Sequence, residues 1–197
     1  MKKIHIIWSH PRTDSLTAEI VRIIKTEAAD NRFETSELDL YRSEFSPVLL
    51  RADEPDWNDP DKVYSDDIME LAGSLNGKDA IIFVFPVWWY SVPAILKGYF
   101  DRVWNYGLIY GAGRKLPLDT IRWVALVGDT KKSFEIRDND KYIEHYLNKS
   151  IASYCGGTDS KVEFLYDTLG SEAEKTGVEN HYNALKEQAR NVVRMLA

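Results

Sequence analysis

The chain alternates between continuous apolar runs and segments whose apolar residues recur every three or four positions. Residues 3–8 (Lys-Ile-His-Ile-Ile-Trp) form a first run that stops at Ser9-His10-Pro11. Residues 79–85 are apolar after Asp79 and stop at Pro86, and residues 121–127 (Ile-Arg-Trp-Val-Ala-Leu-Val) stop at Gly128-Asp129. Residues 161–166 (Lys-Val-Glu-Phe-Leu-Tyr) read as the last strand, with polar residues interspersed. Runs bounded by breakers predict strands buried on both faces, the kind found in parallel sheets. Residues 33–40 alternate more weakly, with Phe33, Thr35, Leu38 and Leu40 apolar or neutral and Glu37 out of phase. One half-polar strand among buried ones predicts an edge position.

Helical spacing fills the intervals. Leu16, Ile20, Ile23, Ile24 and Ala28 lie on one stripe, with Asp14 or Ser15 as the N-terminal cap. Further helices are predicted over 63–75, from Pro93 through Ile95, Leu96, Tyr99, Phe100, Val103 and Trp104, over 134–154 with a ragged start, and over 176–196. Strand and helix thus alternate five times in one domain, 1–197, which predicts an α/β three-layer sandwich around a five-stranded parallel sheet. A half-polar second strand suits the order 2-1-3-4-5, which places a ligand at the carboxyl ends of strands one and three. Those ends are residues 9–17 and 86–90.

The two stretches offer complementary chemistry. In 9–17 a strand turns into a helix through His10, Arg12, Ser15 and Thr17. A helix N-terminus offers free N–H groups and partial positive charge, and so holds phosphate; the plainer reading is a capped helix beside a solvated loop. Neither a P-loop nor a G-x-G-x-x-G follows the first strand. In 86–90, Trp88, Trp89 and Tyr90 stand where open α/β sheets bind ligands, although three aromatics could equally cap the core or fill a subunit interface. A phosphate site beside an aromatic loop describes a flavin mononucleotide moiety, its ring edge bonded by loop N–H groups and its faces shielded from water. Residues 41–60, with Pro47, Pro55, Trp57 and Pro60, form a polar connection of a length usually tied to function. A glycine-rich loop follows at 107–117.

Charge and cysteine content narrow the classes. With 25 basic and 31 acidic residues the net charge is −6, which disfavours a nucleic-acid surface or one docked on anionic lipid. No apolar run approaches the ~20 residues of a membrane span, and the apolar stretch after Met1 is too short for a signal peptide. Cys155 is the single cysteine, so neither a disulfide framework nor a thiolate metal cluster is expected, and a reducing, cytoplasmic setting fits.

His10, Ser15 and Thr17, the block Phe-Pro-Val-Trp-Trp-Tyr-Ser-Val-Pro-Ala-Ile-Leu-Lys-Gly-Tyr-Phe-Asp-Arg-Val-Trp over 85–104, and Leu40-Tyr41 followed by Phe45-Ser46-Pro47 resemble the flavodoxin-like NAD(P)H:quinone oxidoreductases. That family includes DT-diaphorase, bacterial drug-activity modulators and ancillary subunits of potassium efflux systems. The resemblance implies that His10, Ser15, Leu16 and Thr17 hold the flavin phosphate and ribityl chain, and that Pro86, Val87, Trp88, Trp89 and Tyr90 line the ring. Tyr110 would close over the flavin of a homodimer partner and stands as the catalytic candidate, with Trp57, Tyr106 and Leu108 beside it at the interface. FMN is expected slightly ahead of FAD, NAD(P)H as donor, and a quinone or other flat electrophile as acceptor, in ping-pong two-electron transfer. Where the family usually shows Thr-Thr-Gly-Gly, residues 127–134 read Val-Gly-Asp-Thr-Lys-Lys-Ser-Phe. Gly128 survives; Asp129 is expected to face solvent or cap the next helix. No histidine lies between Gly128 and Asn139, so the proton donor is unassigned, and His145 is expected on the surface or an interface. Two other readings carry the same motifs: a regulatory subunit of a membrane transporter, supported by Ser133-Phe134-Glu135-Ile136, and a flavodoxin-type electron carrier.

Overall fold

The computed structural model describes residues 1–197. Five strands, β1 (Lys3–Trp8), β2 (Glu34–Asp39), β3 (Ala80–Pro86), β4 (Thr120–Leu126) and β5 (Asp159–Leu165), form one parallel sheet in the order 2-1-3-4-5. The half-polar second strand is indeed at an edge, the apolar runs form the three central strands, and the half-buried β5 is the other edge. Helices α1 (Leu16–Asp30) and α7 (Val178–Arg194) cover one face, over Ile4, Ile6, Ile82, Val84 and Val124. The other face carries Ile7, Ile81, Phe83, Phe85 and Trp123 beneath α2 (Asp66–Gly73) and α3 (Ala94–Val103). Phe83 and Trp123, neighbours on β3 and β4, stack at 4.5 Å between ring centroids and fix the register of the central pair.

The predicted helix over 134–154 is three pieces: α4 (Lys131–Glu135), α5 (Asn139–Glu144) and a π-helical continuation, His145–Ser153. Asp138, at φ +55°, breaks the chain between the first two. Phe134, Ile143 and Leu147 stay buried on the same sheet face, which is why their periodicity reads as one helix. A short α6 (Ala173–Thr176) precedes α7. Pro93 stands just before α3 as its cap, with its carbonyl accepting from Leu96 and Lys97.

The long 41–65 connection is clamped across α3. Pro47 lies so close to Gly98 that a Cβ there would meet Pro47 atoms at 2.3–2.5 Å. One turn on, Arg102 donates to the Ser46 carbonyl (2.8 Å) and to Asp53 (2.8 Å), a carboxylate with no exposed surface. Ser65 and Asn105 bond the same residue from either side. The excursion is therefore anchored by a buried ion pair.

Candidate active site

The carboxyl edge of the sheet gathers four loops. The first joins β1 to α1. Ser15 caps α1: its Oγ accepts from the Ala18 N–H (3.2 Å) and donates to the Arg12 carbonyl (3.0 Å). The N–H groups of Leu16 and Thr17 find no acceptor in the chain, as the first turn of a helix dictates. Beside them the buried Ser9 Oγ has no partner either. Free donors around a helix N-terminus are the donor set an anion requires.

His10 adds a neutral ring here rather than a charge. Its Nδ1 lies within hydrogen-bond distance of both the Arg12 N–H (3.1 Å) and the Arg12 carbonyl (3.2 Å). Burial first, then the Arg12 and Arg42 cations, hold its pKa below the ordinary value, so the ring is neutral at pH 7. The positive charge comes instead from Arg42, which the sequence reading did not single out. Its guanidinium donates to the carbonyls of His10 (2.7 Å) and Pro11 (2.9 Å), is held by Asp39 (2.6 Å), and lies over the Trp8 ring.

The second loop follows β3. Val87 is tied to the Leu126 carbonyl (2.8 Å), and Trp88 and Ser91 exchange two backbone bonds of 3.1 Å. Between them Trp89 (φ +52°) and Tyr90 (φ +57°) both take the left-handed conformation. This is a primed turn, a geometry that favours Asn and Gly and is strained for bulky residues. Trp89 is 94% exposed, so burial does not compensate the strain. The turn leaves the N–H groups of Trp89 and Tyr90 without acceptors and turns Trp88 toward the His10 ring, 6.1 Å away.

On the other side of the turn a cavity of about 500 Å³ is walled by Val87, Trp89, Tyr90, Gly128, Asp129 and Phe134. The third loop supplies Gly128 and Asp129. Asp129 caps no helix: its carboxylate accepts the adjacent Thr130 N–H (2.8 Å), and Thr130 caps α4. The fourth loop, after β5, supplies Leu169 and Ser171 to the rim and is stitched to the third by Asp167 and Thr168 N–H bonds to the carbonyls of Asp129 and Val127. A side chain at Gly128 would press on Leu169 at 3.1 Å. A cleft of about 630 Å³ also opens from Leu16 between α1 and α7, lined by Tyr182 and Lys186.

The structure thus brings His10, Ser15, Leu16 and Thr17 to one side of the aromatic turn, and Val87, Trp89, Tyr90 and Gly128 to the other; Pro86 ends β3 behind them. It does not bring Tyr110 to them. Helix α3 leads about 15 Å away from the carboxyl edge at 1.5 Å per residue, and Tyr110 lies beyond its far end. There Tyr110 packs with Tyr106, Trp57 and Tyr154 at 5.4–6.4 Å between ring centroids. Burial, then the neighbouring Tyr154, raises its pKa. This belt adjoins a groove of about 480 Å³ between α3 and the π-helix. His145 is exposed, and Cys155 is buried with its thiol pushed up to about 11, so it is not a nucleophile.

A five-stranded parallel 2-1-3-4-5 sheet, with unpaired donors and an aromatic turn at its switch point, defines a flavodoxin-like fold. The sequence model of the flavodoxin-like fold matches residues 2–189, and the chain belongs to that family. It is 46% identical over 192 residues to YcaK, an uncharacterised NAD(P)H oxidoreductase of Escherichia coli (strain K12), covering 98% of this chain and 97% of that one. Among solved structures it is similar to an NAD(P)H:quinone oxidoreductase from Methanothermobacter marburgensis (TM-score 0.83, 22% identity, 96% and 95% of the two chains). It is also similar to an FMN-dependent NADH-azoreductase from Bacillus anthracis in complex with FMN (TM-score 0.69, 16% identity, 98% and 100%).

Proposed function

We propose that the protein is a flavin-dependent NAD(P)H oxidoreductase that reduces quinones or similar flat electrophiles by two-electron transfer. The observation that carries this is the arrangement of unpaired donors. The Leu16 and Thr17 N–H groups and the Ser9 hydroxyl suit a phosphate, and the Trp89 and Tyr90 N–H groups suit the carbonyl edge of a ring. The residues therefore fit a flavin. The cleft at Leu16 and Tyr182 gives an adenylyl extension room, so both FMN and FAD are accommodated, and the mass of the cofactor released on denaturation decides between them.

A bound flavin supplies hydride transfer, accepting from NAD(P)H and passing the hydride to the acceptor. The chain's own part is to bind, orient and exclude water. Ser15 and Arg42 would set the cradle, the N–H groups of the 88–91 turn would bond the ring, and the cavity beside Tyr90 would receive donor and acceptor in turn. One open face supports ping-pong exchange, because the two reactants occupy the same place.

The site is read as completed by a second copy of the chain. Trp57, Tyr106, Leu108, Tyr110 and Tyr154 form a partly exposed belt remote from their own cavity, where Tyr110 is available to a partner's site. Light scattering after size exclusion tests the homodimer; a monomer at micromolar concentration would remove Tyr110 from the mechanism. The primary test is the anaerobic visible spectrum before and after NADPH or NADH. Flavin bands that bleach with either are expected. Bands that persist would overturn the reductase reading, and failure to take up FMN or FAD would overturn the cofactor.

A further inference from the structure

We infer that Tyr90 is the proton donor to the acceptor, an assignment that rests on the flavin-reductase reading above. Reducing a quinone to a hydroquinone takes a hydride and a proton. The hydride brings two electrons and one hydrogen to the acceptor; the second carbonyl oxygen must take a proton from a group beside it. No histidine lines the cavity, and Phe134, at its floor, has no proton to give.

Three walls of the cavity carry oxygen-bound functions: Tyr90, Asp129 and Ser171. Asp129 is already engaged, with its Oδ1 turned to the Thr130 N–H (2.8 Å). The aliphatic hydroxyl of Ser171 is a far weaker acid than a phenol. Tyr90 has the phenol, and its hydroxyl makes no hydrogen bond anywhere in the chain, although the ring is held against buried Phe134 at 5.9 Å between centroids. The left-handed backbone at Trp89 and Tyr90 is what aims that ring over the cavity. Tyr166, on the far side of Phe134, is no rival: burial and the surrounding carboxylates raise its pKa, and it does not reach the cavity.

The step balances simply. The phenolic O–H bond breaks as the proton moves to the acceptor oxygen, while the hydride supplied from NAD(P)H reduces the acceptor by two electrons. The phenolate then takes a proton from water, the residue being 42% accessible. The net reaction consumes NAD(P)H, one solvent proton and the quinone.

The test uses flavin-loaded protein, wild type against Tyr90→Phe, in stopped flow. Because Tyr90 also stands in the flavin-binding turn, the reoxidation rate is read relative to the rate of bleaching by NAD(P)H in the same fully flavin-loaded protein, so that a general loss at the site cancels. Reoxidation by a benzoquinone is expected to slow at least tenfold, toward the ~10²-fold of a lost general acid, and to lose its solvent deuterium isotope effect. Reoxidation by ferricyanide, which takes electrons without a proton, is expected to be unchanged. Direct titration of the oxidised holoprotein with hydroquinone is expected to show about fivefold weaker binding in Tyr90→Phe, the loss of one hydrogen bond. Unchanged benzoquinone rate and isotope effect in Tyr90→Phe, or an isotope effect that vanishes in Tyr110→Phe instead, would overturn the assignment. A wild-type protein that never bleaches would overturn the underlying function.

Discussion

Replacing Ser15 by aspartate separates phosphate binding from fold. Ser15 is the cap of α1, and aspartate caps as well as serine does. A carboxylate at a helix N-terminus is favourable by about 0.3–1 kcal/mol, which offsets the hydrogen bond that Ser15 donates to the Arg12 carbonyl and aspartate cannot, about 1 kcal/mol, so the helix is expected to hold and the melting temperature to stay within a few degrees of wild type. The same carboxylate stands among the free Leu16 and Thr17 N–H groups. At about 5 Å from a bound phosphate and an effective dielectric near 20, each pair of like charges repels by about 3 kcal/mol. That weakens FMN binding roughly a hundredfold or more. Ser15→Ala makes the converse control: it loses the cap, about 1 kcal/mol of stability, with no added charge, and keeps most of the flavin affinity. Quenching of FMN fluorescence gives both dissociation constants, and thermal melts of the flavin-free proteins give the stabilities. If Ser15→Asp binds FMN as tightly as wild type while melting normally, no phosphate sits at this helix terminus.

Asp53→Ala leaves Arg102 buried with only the Ser46 carbonyl and the exposed Asp67 as partners; a loss of about 3–5 kcal/mol is expected, or roughly 6–20 °C in melting temperature. A drop under ~3 °C would show that the clamp is decorative. His5, buried beside Ser36, has its pKa held down to about 4 by burial and by Lys78. Because the unfolded ring takes a proton at about pH 6.5 and the folded one does not until about 4, stability is expected to fall as pH drops from about 6.5 to 4, by up to about 3 kcal/mol. Denaturant midpoints across that window check it, and His5→Asn should flatten the slope. Tyr110→Ala is expected to keep flavin and slow acceptor reduction; unchanged turnover would reduce Tyr110 to packing.

The three central strands were legible because they are buried on both faces, so their apolar runs are nearly uninterrupted and end at Ser9-His10-Pro11, Pro86 and Gly128. The break at Asp138 was not, because the helices before and after it pack on the same sheet face and keep a common apolar phase. Ser15 announced itself as a cap by local chemistry. Arg42 and Asp53 did not, since each works through a partner distant in sequence, His10 and Pro11 for one and Arg102 for the other. A trace of the second was present: Gly98 and Arg102 lie one turn apart on α3, and a small residue next to an arginine on one stripe marks where another segment crosses.

The aromatic turn shows a different kind of signal, a conflict between local preference and the fold. Two bulky residues at positive φ cost on the order of 1–3 kcal/mol each, and an Asn-Gly pair would make the same turn without strain. Trp89 recovers little by burial. What holds the turn is its frame: the Val87 bond to Leu126, the paired Trp88–Ser91 bonds, and buried Val92 leading into α3. What Asn-Gly could not supply is the wall over the cavity and the phenol of Tyr90. Strain maintained by a rigid frame, at the switch point of the sheet and beside unpaired N–H groups, is the pattern expected where a site rather than stability has set the residues. The stretch that violates its local rule is therefore the one around which the proposed chemistry is built.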